Sequence, residues 1–255
     1  MSAPASKATY RKAFYETRHV KTSSSAEAIV AHMMQLVEPR SVIDMGCGVG
    51  TWLKAFQEKG VPEVMGLEGE WLDTRQLAID PGSFKHWDLK QVYRPEHRYD
   101  LALSLEVGEH LPEAESDHLV ESLTLAAPMV LFGAAIPGQG GVDHVNERWP
   151  TFWMERFAKR GYVCVDAVRP VFWDNPAVKV WYKQNTFLYV QRDAMERSPQ
   201  LLPYYRPESR LLDAVHPDLF IRQLGYRHPM HISYKDLIRF FPAATWQAIK
   251  RFVKR

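Results

Sequence analysis

The chain has 255 residues, of which 46% are hydrophobic and 24% are charged, and its formal net charge is +2. This composition excludes a wholly disordered chain, and the length allows one large domain or two small ones. Two cysteines cannot make a disulfide framework, so we expect a reducing compartment and a cytoplasmic location.

The N-terminal segment and one uncharged stretch bear on membrane association. The N-terminal segment contains several Lys and Arg residues and no apolar core of signal-peptide length. Residues 122–142 carry no charge, but their prolines and glycines would break a helix that spans a membrane. We therefore expect neither a signal peptide nor a transmembrane segment.

The predicted elements alternate between helices and strands along the chain. A helix is expected from about Ser25 to Val37, because Ser24 and Glu27 have the spacing of a capping box. The strands that follow, within about residues 41–192, are SVIDM, EVMGLE, FKHWDL, YDLALSLEV, MVLFGAA, YVCVDAVR and TFLYVQR. The main helices between them are TWLKAFQEK, PEAESDHLVESLTLAA and WPTFWMERFAKR, and a Pro/Asn turn is expected between the last two strands. This alternation predicts a Rossmann-like α/β fold whose seven-stranded, mostly parallel sheet has helices on both faces.

Composition divides the chain into three parts. We predict an N-terminal extension at residues 1–24, a central α/β domain at 25–193, and a C-terminal helical tail at 194–255. The tail carries a net charge of +6 and could serve as a cap or bind a partner. Its last segment, ATWQAIKRFVKR, predicts a basic amphipathic helix that could contact an anionic surface or a partner.

The clearest local signal is the strand and glycine loop SVIDMGCGVG. Asp44 precedes three closely spaced glycines, Gly46, Gly48 and Gly50. Such glycines let a ligand approach the backbone, at the strand ends where doubly wound sheets bind their ligands. A carboxylate before the loop would repel a pyrophosphate but would suit an amino group, which disfavours a dinucleotide.

Together with Glu68, Asp88 and a later E-x-x-E-H array, this loop resembles the class I S-adenosylmethionine-dependent methyltransferases over about residues 25–192. The resemblance implies S-adenosylmethionine as the cofactor, with Glu68 at the ribose hydroxyls and Asp88 beside the adenine amino group. The cofactor-binding residues that it implies are Asp44, Gly46, Cys47, Gly48, Gly50, Glu68, Asp88, Leu89 and Leu105.

Two further segments carry residues that could act on a methyl acceptor. Glu106, Glu109 and His110 follow the fourth strand, and they would share one face if a helix began there. The loop after the fifth strand carries Asp143 and His144. Loops after successive parallel strands meet at one edge of the sheet, so His144 could reach the first group. Two carboxylates and two imidazoles (Glu106, Glu109, His110 and His144) could then hold Mg²⁺, Mn²⁺ or Zn²⁺.

The same residues leave the chemistry open. The layout is similar to that of metal-dependent O-methyltransferases, including the enzymes that methylate the 3′ ends of small RNAs. The E-x-x-E-H array also occurs in methyltransferases of this fold that use no metal. His144 could therefore be a metal ligand, a general base, or a positioning or structural residue, and Glu109 and His110 are the other catalytic candidates.

From these features we expect an S-adenosylmethionine-dependent methyltransferase that O-methylates a small hydroxylated, sugar-like or glycan-like acceptor. The alternatives are an RNA 2′-O-methyltransferase with a metal site and a non-catalytic module that binds S-adenosylmethionine. A third alternative is a membrane-surface enzyme that binds the membrane through its last helix. A nucleic-acid acceptor is less expected, because it would require a broader basic face than this tail provides.

Overall fold

Helices and strands alternate in the computed structural model, which describes residues 12–207 and 212–227. The strands are β1 (Ser41–Met45), β2 (Glu63–Glu68), β3 (Phe84–His86), β4 (Leu101–Leu105), β5 (Met129–Gly133), β6 (Tyr162–Val165) and β7 (Phe187–Gln191). The helices are α1 (Lys12–Leu36), α2 (Thr51–Glu58), α3 (Ser116–Ala126), α4 (Pro150–Lys159), α5 (Arg169–Phe172), α6 (Val180–Asn185), α7 (Arg192–Glu196) and α8 (Pro217–Arg227). Short 3-10 helices lie at Thr74–Gln76, Pro81–Ser83, Gly108–His110, Glu113–Glu115 and Pro199–Tyr204.

Within the described residues, the strands form one seven-stranded sheet in the order β3-β2-β1-β4-β5-β7-β6. The first five strands pair in parallel, and β7 runs antiparallel to both β5 and β6. The predicted mostly parallel α/β sheet is therefore confirmed. The order reverses between β1 and β4, and in such sheets ligands bind at the carboxyl ends of the strands beside this switch point.

Helices cover both faces of the sheet, as predicted. All five residues of β1 are buried. Successive side chains along the strand point to opposite faces of the sheet, and each face has its own hydrophobic core. Val42 packs with residues of α1 and α2, whereas Ile43 packs with residues of α3 and α4. Burial on both faces explains why the central strands are almost continuously apolar.

Helix α1 overturns the predicted capping box, because α1 spans Lys12–Leu36 and Ser24 lies within it instead of at its start. The hydroxyls here have partners elsewhere in the fold instead of capping a helix. Ser24 Oγ donates to the carbonyl of Ala177 at 2.9 Å, and Ser25 Oγ accepts the backbone N–H of Lys179 at 3.0 Å. Local spacing alone could not reveal these partners, which lie more than 150 positions away.

The connection between β6 and β7 also differs from the prediction. Two short helices, α5 and α6, replace the predicted Pro/Asn turn. A buried ion pair holds the first of them, because the Arg169 guanidinium donates to the Asp166 carboxylate at 2.8 Å and to the carbonyl of Leu212. The segment therefore packs against the domain instead of forming a simple surface turn.

The described residues form two compact units, one that ends at Ala214 and one that begins at Val215 and includes α8. The domain limits proposed from the sequence remain predictions. No described helix combines the length and the apolar character that crossing a bilayer requires. The predicted basic helix at 244–255 lies outside the described residues.

Candidate active site

Two carboxylates stand at the ends of neighbouring strands. Asp44 on β1 is 2% exposed, and Glu68 at the end of β2 is 8% exposed. The Glu68 carboxylate accepts the backbone N–H of Gly48 at 3.0 Å and that of Gly69 at 2.9 Å. Burial, with a smaller contribution from the charge of Glu68, raises the pKa of Asp44 to about 7. Because the charges of these two buried carboxylates interact, a cationic group that binds beside them would be favoured.

The glycine loop joins this acidic pair to the strand beside it. Gly46 has φ +90°, and a Cβ there would lie 2.4 Å from Val107 Cγ2, so only glycine lets the loop after β4 approach. Gly48 has φ +54°, and no described protein atom lies within 4 Å of the position that its Cβ would take. The first glycine thus serves packing, and the second leaves the backbone accessible to a ligand.

Cys47 and Leu89 contribute side chains to the interior. The Cys47 thiol donates to the carbonyl of Gly48 at 3.3 Å, and burial raises its pKa well above the usual value. Leu89 is 6% exposed within the core. Any contact of these two residues with a cofactor would therefore be made chiefly by the backbone.

Asp88 and Leu105 complete the predicted cofactor set. Asp88 is exposed two residues beyond β3, and its carboxylate accepts the backbone N–H of Lys90 at 3.1 Å. Leu105 ends β4 and is 8% exposed. Trp71, which was not singled out from the sequence, is 48% exposed, and its ring lies 2.2 Å from the position that a Cβ on Gly69 would occupy.

No α-helix begins at the E-x-x-E-H array. The chain makes a 3-10 turn over Gly108–His110, and α3 begins only at Ser116. Glu106 has φ +57°, a left-handed conformation that is rare for a residue with a side chain. The condition for Glu106, Glu109 and His110 to share a helical face is therefore not met.

Three of the four predicted metal-site residues nevertheless come together. Glu109, His110 and His144 each offer a carboxylate oxygen or an imidazole nitrogen, and these atoms lie within 4.8 Å of one another. The imidazole rings of His110 and His144 meet edge to face, with centroids 5.0 Å apart. Glu109 is fully buried, and its backbone carbonyl accepts the N–H groups of Val145 and Asn146 at 2.9 and 3.1 Å. These backbone bonds fix the loop that carries His144 against the 3-10 turn.

Glu106, the fourth predicted metal-site residue, bonds to two amides instead. Its carboxylate accepts one hydrogen bond from Gln139 Nε2 and one from Asn185 Nδ2, both at 2.8 Å. Asn185 Nδ2 also donates to Gln139 Oε1 at 2.9 Å, which closes a ring of three side chains. The ring links the end of β4, the loop after β5 and the end of α6. Neither amide was singled out from the sequence, because they lie 33 and 79 positions from Glu106.

The carboxylate of Glu147, which was not singled out from the sequence, bonds to His144. Glu147 Oε1 lies 2.9 Å from His144 Nδ1, and the two oxygens of Glu147 accept the backbone N–H groups of Gly138 and Gly140, both at 2.7 Å. The spacing of His144 and Glu147 was visible in the sequence, but glutamates three residues from a histidine are too common to single out.

Comparisons with known proteins agree with this architecture. The family described as "Methyltransferase domain" matches residues 18–168, more than half of the chain. The structure is similar to DesVI of Streptomyces venezuelae, with a TM-score of 0.52, 15% identity, and coverage of 74% of this chain and 100% of that one. It is also similar to CalS10 of Micromonospora echinaspora, an amino pentose methyltransferase solved with S-adenosylmethionine, with a TM-score of 0.51, 14% identity and coverage of 75% and 100%.

A curated relative is the probable chloroplastic tocopherol O-methyltransferase of Oryza sativa subsp. japonica. It is 30% identical over 99 residues, which are 36% of this chain and 27% of the rice protein. The chain therefore aligns with about a quarter of the length of that relative.

The fold, the strand-end acids and the glycine loop define a class I methyltransferase domain, and the family match shows that the chain belongs to the methyltransferase-domain family. The predicted family, enzyme class and cofactor, S-adenosylmethionine, are confirmed at the level of this family. The individual site residues, the metal and the acceptor remain predictions.

Proposed function

We propose that this protein transfers the methyl group of S-adenosylmethionine to a hydroxyl of a small polyhydroxylated acceptor, such as a sugar. The observation that carries the proposal is the cluster of Glu109, His110 and His144 at the same sheet edge as the acidic pair. A hydroxyl is a poor nucleophile at neutral pH, so its methylation requires a base or a metal ion, whereas a deprotonated amine requires neither.

In the proposed reaction, the acceptor oxygen attacks the methyl carbon in line with its bond to sulfur. The new oxygen–carbon bond forms as the carbon–sulfur bond breaks, and the electron pair of that bond returns to sulfur. The products are a methyl ether and S-adenosylhomocysteine, and the hydroxyl proton passes to a base. His144 is the residue to which we assign this proton, because its side chain is only 10% exposed and Glu147 is its neighbour.

For the cofactor, we assign Asp44 and Glu68 the two roles that suit buried carboxylates at strand ends. Glu68 would accept the ribose hydroxyls, and Asp44 would face the amino group of the methionine part. The exposed Asp88 carboxylate would meet the adenine amino group. The open backbone at Gly48 would lie against the ligand, because no side chain there would hinder its approach.

The donor set of Glu109, His110 and His144 also fits a divalent cation, since one carboxylate and two imidazoles suit Zn²⁺ and Mn²⁺. When bound, such an ion would lower the pKa of a coordinated acceptor hydroxyl. Glu106 is the least suited of the four predicted ligands, because its carboxylate already bonds to Gln139 and Asn185. We therefore propose three protein ligands for any ion that binds here.

A polar acceptor fits the surroundings of this cluster. The side-chain ring of Glu106, Gln139 and Asn185 offers carboxylate and amide groups of the kind that bind hydroxyls. Trp149 is 38% exposed on the same loop, and an indole face can cover a sugar ring. The amino pentose named for the Micromonospora protein is one acceptor class to include in a test.

The test is transfer of a labelled methyl group from S-adenosylmethionine to a panel of acceptors, each with and without EDTA. The panel contains nucleotide sugars, an amino sugar, a catechol and a short RNA. We expect a methyl ether on a sugar hydroxyl, identified by mass spectrometry. Exclusive methylation of nitrogen would contradict the O-methylation proposal. Methylation of RNA that weakens steeply with salt would replace the sugar with a nucleic-acid acceptor.

A further inference from the structure

The loop that carries His144 is organised around one carboxylate. Both oxygens of Glu147 accept a backbone N–H, Oε1 from Gly140 and Oε2 from Gly138, each at 2.7 Å. Glu147 Oε1 also lies 2.9 Å from His144 Nδ1. Glu147 therefore joins the backbone of its own loop to the one histidine on that loop.

These contacts determine which imidazole nitrogen of His144 carries hydrogen. A carboxylate oxygen that already accepts a backbone N–H can only accept, so Nδ1 must donate to it. In the neutral ring, Nε2 then keeps its lone pair, because only one of the two nitrogens is protonated. The nitrogen that can take a proton or bind a metal is thus Nε2.

Gly141 leaves free the space that the imidazole ring of His144 occupies. A Cβ on Gly141 would lie 2.1 Å from His144 Nε2 and 2.4 Å from Cε1. Any side chain at position 141 would therefore displace the imidazole from its place beside Glu147. The hydrogen bond at Nδ1 holds the ring in this position, and the absence of a side chain at residue 141 leaves room for the ring there.

We propose that Glu147 is a positioning residue that fixes His144 in the tautomer with Nδ1–H, so that the lone pair of Nε2 is available to the acceptor or to a metal ion. Carboxylates commonly orient histidines in this way in metal sites and in catalytic dyads. The role assigned to Nε2 rests on the proposed function, whereas the tautomer itself can be measured without substrate.

The first test is a long-range ¹H–¹⁵N spectrum of protein labelled with ¹⁵N-histidine, at a pH where imidazoles are neutral. Its His144 signals are assigned with the His144→Asn variant. We expect the wild-type protein to show Nδ1 protonated and Nε2 unprotonated. In Glu147→Ala, the preference should be lost and both tautomers should appear. Protonation at Nε2 in the wild type, or an unchanged His144 signal in Glu147→Ala, would overturn the proposal.

Two further variants separate positioning from general loosening of the loop. Gly141→Ala leaves the carboxylate and its two glycine bonds in place but displaces the ring, so it should alter the His144 signals as Glu147→Ala does. Glu113→Ala removes a carboxylate that pairs with Arg148 on the same loop but not with the histidine, and His144 should keep its tautomer. Loss of the tautomer in Glu113→Ala would show that loop order, and not Glu147, fixes the ring.

The second test is a titration with Co²⁺, followed by its visible absorption. If the wild type binds the ion, Glu147→Ala should bind it about 10- to 100-fold more weakly, whereas Glu113→Ala should bind it as the wild type does. Equal loss in both variants would overturn the positioning role. A wild type that has the expected tautomer but binds no Co²⁺ would reject the metal site alone, and absence of S-adenosylhomocysteine binding would reject the proposed function while the tautomer result stands.

Discussion

The two halves of the candidate site are built differently. The cofactor half, which is Asp44, the glycine loop and Glu68, lies at the ends of adjacent parallel strands, and the Glu68 carboxylate bonds directly to the backbone of that loop and of Gly69. The acceptor half, which is Glu109, His110, His144 and Glu147, lies on a 3-10 turn and a long loop. Strand ends have positions that the sheet register sets, whereas the loop depends on side-chain bonds between distant segments.

The two halves also differ in charge. In the cofactor half, two carboxylates are buried, and burial of Asp44, with a smaller contribution from the charge of Glu68, raises the pKa of Asp44 to about 7. In the acceptor half, two carboxylates lie beside two imidazoles, and the Glu147 carboxylate bonds to both His144 and backbone N–H groups. The first arrangement favours binding of a cation, and the second favours movement of a proton or binding of a metal.

The largest expected effect comes from breaking the acceptor half alone. His144→Ala should lower the rate of methyl transfer about 10²- to 10⁴-fold, which is the range for loss of a general base. Binding of S-adenosylhomocysteine, measured by calorimetry, should stay within about twofold of the wild type, because His144 lies outside the acidic pair and the glycine loop and changes at independent sites have little mutual effect. A parallel loss of cofactor affinity would show that the two halves are not separate.

The next largest effect is expected where the glycine loop of the cofactor half meets the loop after β4. Gly46→Ala would place a methyl group against Val107 at a positive φ, and it should lower the free energy of unfolding by roughly 2–4 kcal/mol. Gly48→Ala is the matched control, because only the backbone conformation opposes it, at a cost of about 1 kcal/mol. Urea denaturation of both variants checks this difference, and equal stability would contradict the packing role of Gly46.

A smaller effect concerns the pH dependence of Asp44. Its pKa rises from 3.8 to about 7 on folding, so between these values the folded chain binds more protons than the unfolded chain. The stability contribution of Asp44 therefore falls as pH rises through this window. Asp44→Asn should remove that contribution, which denaturation at several pH values would show as a flatter profile than that of the wild type.

Binding of a cationic ligand should reverse this trend, because the ionised form of Asp44 attracts the amino group of the ligand. The affinity for S-adenosylhomocysteine should thus rise as pH increases through about 7 in the wild type, and it should rise less in Asp44→Asn. Calorimetry at several pH values measures this. A wild-type affinity that falls over the same range would contradict the assignment of Asp44 to the amino group.

The smallest expected effect concerns the stability of the loop that carries His144. Gln139→Ala removes the bonds from Gln139 to Glu106 and Asn185, and it should lower the free energy of opening of residues 137–149 by about 1 kcal/mol. Hydrogen exchange measures this change in amide protection. Faster exchange confined to that loop is the expected result, whereas unchanged exchange would mean that the three-residue ring does not hold it.

The sequence was informative where structure is local. The apolar strands predicted the sheet, and the glycine loop indicated a candidate cofactor edge, because a strand, its turn and its first polar residue are contiguous in the chain. The E-x-x-E-H array was singled out as a candidate site, but the helix that would place its residues on one face does not form there. The left-handed Glu106 and the 3-10 turn at Gly108 depend on packing that no spacing reveals. Asn185 could not be predicted, because its bond to Glu106 spans 79 positions.

The most direct test of the cofactor assignment is calorimetric titration of S-adenosylhomocysteine into wild-type protein, Asp44→Asn and His144→Ala. We expect binding to the wild type and unchanged affinity in His144→Ala. In Asp44→Asn the affinity should be about 10- to 100-fold lower, because a charge-assisted hydrogen bond is lost. Absence of binding to folded wild-type protein, or wild-type affinity in Asp44→Asn, would contradict the assignment of the acidic strand ends to the cofactor.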